Sequence, residues 1–253
     1  MHARRLALTA DLIAGAHPAL LADDATAMPL LGDADIETGL DAALGAMPAS
    51  IDVAAGPWVF GYGSLIWQPE FAVVEQRIGR VRGWHRRFCL LQRRFRGSAD
   101  HPGLVLALVA GGTCNGVVFR LPAGNLRDVL IPLWRREMRG NGYRARWVPV
   151  ETGSGTVEAL TFVVNPACDR YTGRLDEPAI ADLIASANGG LGPSAEYLRR
   201  TALACAEIGV HDRHLWSLQA LVAERLRLHV SRLRPHPKVS TRSGGLDGGL
   251  QGK

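Results

Sequence analysis

The order in which this chain changes its pattern limits its fold more than any single motif. From Trp58 to Val164 it is built of short runs rich in Val, Leu and aromatics, separated by Gly or Pro clusters. These read as strands over 58–62, 76–81, 87–91, 104–109, 116–120, 145–150 and 157–164. One helical segment, 126–138, interrupts them. Pro132 lies inside it, so a break or kink is expected, with the proline opening a second short helix. From Pro178 the pattern is helical. Ile180, Leu183, Ile184 and Ala187 form one stripe, ended by Gly189 and Gly190. Tyr197, Leu198, Thr201, Cys205 and Ile208 form another, ended by Gly209. Asp212 is placed to cap a third, carrying Leu215, Leu218, Val222 and Leu226. Strands around one helix, followed by helices, argue for α+β rather than an alternating parallel sheet.

Before Trp58 the chain is Ala- and Leu-rich. Ile36, Leu40, Leu44 and Met47 recur at helical spacing after Asp33, a fitting cap. The expected organisation is a helical extension over 1–55, a main domain over 56–230 and a tail over 231–253 whose Arg, Pro, Ser and Gly content fits disorder.

With 253 residues and 47% hydrophobic content, the chain can bury a sizeable core. Its 29 Lys and Arg against 24 Asp and Glu leave a net charge of +5, a mild excess that suits an anionic small molecule and does not call for nucleic acid. Cys89, Cys114, Cys168 and Cys205 form no C-x-x-C pair, and none has a histidine at metal-ligand spacing. Free thiols in a reducing cytosol are expected, without a metal site. No apolar run approaches the ~20 residues of a membrane helix. The apolar patch after Arg4 and Arg5 is interrupted by Asp11 before it reaches signal-peptide length. A soluble cytoplasmic protein that engages neither membrane nor nucleic acid is the expectation; the oligomeric state is open.

Residues 59–67, Val-Phe-Gly-Tyr-Gly-Ser-Leu-Ile-Trp, set a nearly side-chain-free turn between two apolar stretches. A dinucleotide fingerprint would need a glycine where Ile66 stands, and so would a hydrolase elbow. A phosphate-binding loop would need a nearby lysine. Ser64 has His85 and His101 as bases only by default. What remains is a strand end and a turn whose N–H groups can approach a ligand. A glycine-rich corner without a ligand fits the same residues equally well.

The stretch resembles the signature of the ChaC-type γ-glutamylcyclotransferases. Gly-Arg-Val-Arg-Gly-Trp-His-Arg-Arg-Phe-Cys-Leu (79–90), His-Pro-Gly-Leu-Val-Leu-Ala-Leu (101–108), the segment from Leu133 to Val150, Ala-Leu-Thr-Phe-Val-Val-Asn (159–165) and Ala-Glu-Tyr-Leu-Arg-Arg-Thr (195–201) follow in that family's order. The likeness runs from about Leu8 to Leu226. It implies a compact mixed β-barrel flanked by helices, and cleavage of glutathione to 5-oxoproline and Cys-Gly without a cofactor. It places the γ-glutamyl group on Val59, Phe60, Gly61, Tyr62, Gly63 and Ser64, and the catalytic glutamate on Glu137. Activity on other γ-glutamyl amines or dipeptides, or a non-catalytic binding role on the same fold, would be written in much the same residues.

That chemistry has its own requirements. The substrate's α-amine attacks its own γ-carbonyl, so a base must first take a proton from the ammonium. An acid must then give one to the leaving nitrogen, and one carboxylate serves both roles in turn. The nucleophile is already tethered to its target, so no metal is needed. Glu137 falls four residues after Leu133 and seven after Leu130, on the helix's apolar phase, where desolvation should raise its pKa. A solvated glutamate paired with Arg136 or Arg139 fits the local pattern as well. Glu70, Glu75, Glu151 and Glu158 read as solvated. Main-chain N–H groups from Gly61 to Leu65 are placed to hold an oxyanion or a carboxylate. Tyr62 offers stacking or a hydroxyl, and Tyr143 a second hydroxyl. Arg80, Arg82, Arg86, Arg87, Arg93, Arg94 and Arg96 read as the outer faces of alternating strands. One arginine is available for the substrate's glycine carboxylate, and the sequence does not say which.

Overall fold

A computed structural model describes residues 6–19, 22, 26 and 28–233. The helices are α1 (Ala10–Ala16), α2 (Asp33–Gly45), α3 (Ser64–Trp67), α4 (Leu126–Glu137), α5 (Glu177–Ser186), α6 (Ser194–Glu207) and α7 (Arg213–Leu233). The strands are β1 (Trp58–Gly61), β2 (Glu75–Gln92), β3 (Gly103–Arg120), β4 (Tyr143–Thr152) and β5 (Gly155–Val164). The strands close a barrel in the order β1-β3-β2-β4-β5. Pairing is antiparallel except where β5 runs parallel to β1 (Val59 opposite Leu160) and to β3 (Leu108 opposite Val163). The architecture is therefore the mixed barrel with flanking helices expected of an α+β chain.

Four of the expected strands merge into two. Runs 76–81 and 87–91 are halves of β2, and 104–109 and 116–120 are halves of β3. The glycines between them, Gly83, Gly111 and Gly112, all with positive φ, mark a bulged bend and not a chain break. The register shift between Arg82 and Trp84 has a further effect. Before it Gly79 and Val81 point inward; after it Arg86 and Phe88 do. One inserted residue reverses the parity of a strand. Arg80 and Arg82 thus remain outside, donating to Asn115 Oδ1 and pairing with Glu151. Arg86, expected outside with them, is 5% exposed.

Helix α4 crosses between β3 and β4. Asn125 caps it by accepting from Arg127 N–H at 3.0 Å, and the helix runs through Pro132, with no second helix opening there. Its buried face is Leu130, Leu133 and Trp134, the last packed edge-on against Phe162 of β5. Helix α2 covers it from outside with Ile36 and Leu40. Gly39 permits the approach, since a Cβ there would lie 3.3 Å from Trp134 Nε1. Arg127 also pairs with Glu37 and Asp41. Each buried apolar side chain contributes about 1.5–3 kcal/mol, whereas an exposed pair is worth about 0.2–1 kcal/mol. The apolar face therefore sets the orientation of α4, and with it the placement of its last residue, Glu137.

Helices α5 and α6 pack on β3 and α7 packs against both of them, with Leu198, Ala202, Leu215, Leu218 and Val222 in the main core. Asp212 caps α7 as expected, accepting from His214 N–H and Leu215 N–H at 3.0 and 3.1 Å. The helix continues through residues 231–233; the rest of the expected tail, 234–253, lies outside the described residues. Among the described residues no helix is long and apolar enough to cross a membrane.

Candidate active site

Glu137 ends α4 with its side chain 13% exposed, at the wall of a cavity of about 370 Å³. That volume lies in the range of small-molecule sites. Ser64, Trp67, Gln92, Arg96, Tyr143 and Tyr197 share the lining. Burial pushes the Glu137 carboxyl above its usual range; the neighbouring Arg136 pulls it down in part, and Glu70 adds to the rise.

Arg136 organises the floor. Its Nε lies 3.1 Å from Glu137 Oε1, its Nη2 donates to Ser64 Oγ at 3.1 Å, and its Nη1 reaches Glu70 Oε2 at 3.0 Å and the carbonyl of Gln68. One guanidinium thus connects the last residue of α4 to the glycine turn after β1. Glu70, read from sequence as a solvated acid, is indeed exposed, but it shares this arginine and lines the cavity. Glu75 and Glu151 instead pair with Arg77 and Arg82 on β2, whose hydrogen bonds hold each carboxyl below its usual range.

Among the residues expected at the site, Glu137, Ser64 and Tyr143 line the cavity. Val59, Phe60, Tyr62 and Leu65 are core side chains behind it. Gly61 and Gly63 are covered: a Cβ on Gly61 would lie 2.9 Å from the Phe119 ring, and one on Gly63 3.0 Å from Tyr197 Oη. Tyr62 does not offer its ring to the cavity. It is 7% exposed, and its hydroxyl donates to the Phe162 carbonyl at 2.7 Å. Tyr143 likewise donates to the Leu106 carbonyl at 2.7 Å, leaving its hydroxyl oxygen only as an acceptor.

Tyr197 is the residue that sequence reasoning missed. In the sequence it belongs to the apolar stripe of α6; in the structure its ring packs edge-on to Trp67 and Phe88 while its hydroxyl sits beside Gly63. Burial pushes its hydroxyl up to about 12, so it stays protonated. The hydroxyls of Tyr62 and Tyr143 are also raised, by burial first and then by neighbouring phenols and the charge of Glu137. A carboxyl raised by burial among three neutral phenols and one arginine is suited to hold and release a proton.

A second cavity, of about 750 Å³, is larger and is lined by Arg86, Asp212, Glu177 and His214 among others. Four of its charged groups pair with one another, Arg86 with Asp212 at 3.1 Å and His214 with Glu177 at 2.9 Å. Hydrogen bonds from Ser217 and His214 hold the Glu177 carboxyl below its usual range, whereas burial raises Glu137, so the smaller cavity is the better seat for chemistry.

Comparison with known proteins agrees with this placement of the fold. The family model of the ChaC-like proteins matches residues 57–225. The glutathione-specific γ-glutamylcyclotransferase of Escherichia coli (strain K12) is 40% identical over 173 residues, covering 68% of this chain and 75% of that protein. Glutathione-specific γ-glutamylcyclotransferase 1 of Danio rerio is 34% identical over 188 residues, covering 70% of this chain and 95% of that one. A crystal structure of a γ-glutamyl cyclotransferase specific to glutathione from yeast superposes with a TM-score of 0.59 over 73% of this chain and 99% of its own, at 22% identity, which shows a shared fold.

Proposed function

The chain belongs to the ChaC-like protein family, and from this premise we propose that it is an enzyme, a glutathione-specific γ-glutamylcyclotransferase, with Glu137 as its proton shuttle. The γ-glutamyl end of glutathione lies against the turn over 61–65, with Ser64 facing it. Glu137 takes a proton from the substrate's ammonium. The freed amine attacks the γ-carbonyl and closes a five-membered ring, and main-chain N–H groups of the turn hold the oxyanion that forms. As the C–N bond to cysteine breaks, Glu137 gives its proton to the departing nitrogen and takes the second proton from the ring nitrogen, which follows to the same amine, so that Cys-Gly leaves as an ammonium and the ring nitrogen keeps one hydrogen. The products are 5-oxoproline and Cys-Gly. Ring closure is intramolecular, so the entropy of bringing the reactants together is already met by the substrate.

The observation that carries this reading is the bridge through Arg136, which holds a buried carboxylate and the glycine turn on one cavity. The four cysteines are buried and unpaired, which fits the reducing compartment where glutathione is abundant, and a cytoplasmic location follows from this reading. Incubating the purified protein with glutathione and following 5-oxoproline and Cys-Gly by liquid chromatography tests it. Equimolar appearance of both supports the assignment, and intact glutathione after prolonged incubation removes it.

A further inference from the structure

Four arginines reach the candidate cavity: Arg96, Arg136, Arg139 and Arg170. Three are committed within the protein. Arg136 serves Glu137, Glu70 and Ser64. Arg139 donates to the Arg135 carbonyl and lies over the Phe95 ring. Arg170 donates to the carbonyls of Leu91 and Gly140. Arg96 differs. Among the described residues its guanidinium has no hydrogen-bond, ion-pair or ring partner. The nearby acid, Glu196, is taken by Arg199 in a two-pronged pair at 2.7 and 2.8 Å. Burial lowers the pKa of Arg96, and the charge of Glu196, already paired with Arg199, offsets that only in part.

Its location indicates what is missing. Arg96 lies in the segment joining β2 to β3, which is fastened to the segment before α6: Gly190 N–H donates to the Arg94 carbonyl at 3.2 Å and Leu191 N–H to the Phe95 carbonyl at 2.8 Å. Leu191, 62% exposed, marks this side as the cavity's rim, whereas Glu137 lies deep. Glutathione carries two carboxylates. The α-carboxylate travels with the glutamyl end to the turn beside Glu137, and the glycine carboxylate lies at the other end of the tripeptide.

We infer that Arg96 receives the glycine carboxylate of glutathione and is the residue by which the site selects a substrate with an anionic terminus; this rests on the reaction proposed above. A guanidinium fork matches a carboxylate in two parallel hydrogen bonds. The contact forms at a distance from the reacting bond, so it acts mainly on binding and appears in KM more than in kcat.

The test compares wild type, Arg96→Gln and Arg96→Lys on glutathione and on its C-terminal amide, by 5-oxoproline release. Wild type should prefer glutathione, and the preference, read as a ratio of kcat/KM values, should be roughly 10- to 100-fold. Arg96→Gln should bring that ratio close to one through a raised KM for glutathione, and Arg96→Lys should restore part of it. A wild-type enzyme that turns over both compounds equally overturns the inference without any variant, as does an Arg96→Gln ratio equal to the wild type's. The absence of product from either compound with the wild type overturns the reaction itself, and the inference with it.

Discussion

The guanidinium of Arg86 donates to the main-chain carbonyl of Tyr62 at 2.9 Å, gripping the glycine turn from inside the protein. The same group reaches Cys205 Sγ and the Asn115 carbonyl, and its Nε faces Asp212 Oδ2 at 3.1 Å without hydrogen-bond alignment. The turn, strands β2 and β3, the last turn of α6 and the cap of α7 thus meet on one buried cation. Breaking a buried pair by removing one partner costs about 3–5 kcal/mol. Arg86→Met should therefore lower stability by about that amount in denaturant unfolding. At a temperature where the variant is folded, kcat/KM for glutathione should still fall, because the turn has lost its anchor. Unchanged kcat/KM would mean that the turn keeps its shape unaided.

Glu137→Gln should reduce 5-oxoproline formation by roughly 10²–10⁴-fold or more, the range for loss of a general acid–base. The amide keeps an oxygen for Arg136 and loses the ability to accept the proton. Circular dichroism should match the wild type. Retained turnover in a well-folded variant would assign the proton transfer to another group.

The same variant has a stability signature. The folded-state pKa of Glu137 is raised above that of the unfolded chain. Between the ordinary carboxylate range and the raised value, the native state holds a proton that the unfolded state has released. Stability therefore falls as pH rises through that window, and the deficit persists above it. Glutamine has no such deficit. Glu137→Gln should melt higher than wild type at neutral pH, with the gap closing as pH drops below the ordinary carboxylate range. A gap of the opposite sign at neutral pH would place the charged carboxylate in a favourable environment.

Arg136 holds the Glu137 carboxyl down against burial. Arg136→Met should move the acidic limb of the kcat/KM profile to higher pH, since the base then protonates more readily. A limb that stays in place would show that another group sets it.

Gly116, next to Val117, the partner of Gly61, lies on β3 beside the turn. A Cβ there would overlap the Gly61 carbonyl oxygen and press on the Phe60 ring. Backbone atoms do not yield cheaply, so Gly116→Ala should destabilise by about 1–3 kcal/mol and lower activity with it. Gly153→Ala, where a Cβ would meet nothing within 4 Å, is the matched control and should stay within about 0.5 kcal/mol of wild type.

The strand positions and C-terminal helices were legible because their apolar periods are regular and their ends carry Gly209 and Asp212. The joins within β2 and β3 were not, because a glycine that ends a strand and one that bends it have the same letter; only pairing partners separate Gly83 from a loop residue. The inward turn of Arg86 followed from that same bulge. Glu137 could be found because Leu130 and Leu133 set a phase that a charged residue then breaks. Tyr197 and Arg96 left no comparable mark. A tyrosine on an apolar helical stripe reads as core, and an arginine among seven reads as surface until its neighbours' partners are known.

Met28, 5% exposed, lines the cavity, and Leu31 N–H donates to the Arg139 carbonyl at 2.7 Å. Met28 and Leu31 precede Pro57, where the match to the family model begins, although the sequence likeness was expected from about Leu8. Two enzymes with the same barrel, turn and glutamate would then still admit different molecules if their leading arms differed, and diversification of substrate range within this lineage has a place to act that leaves the reaction centre untouched.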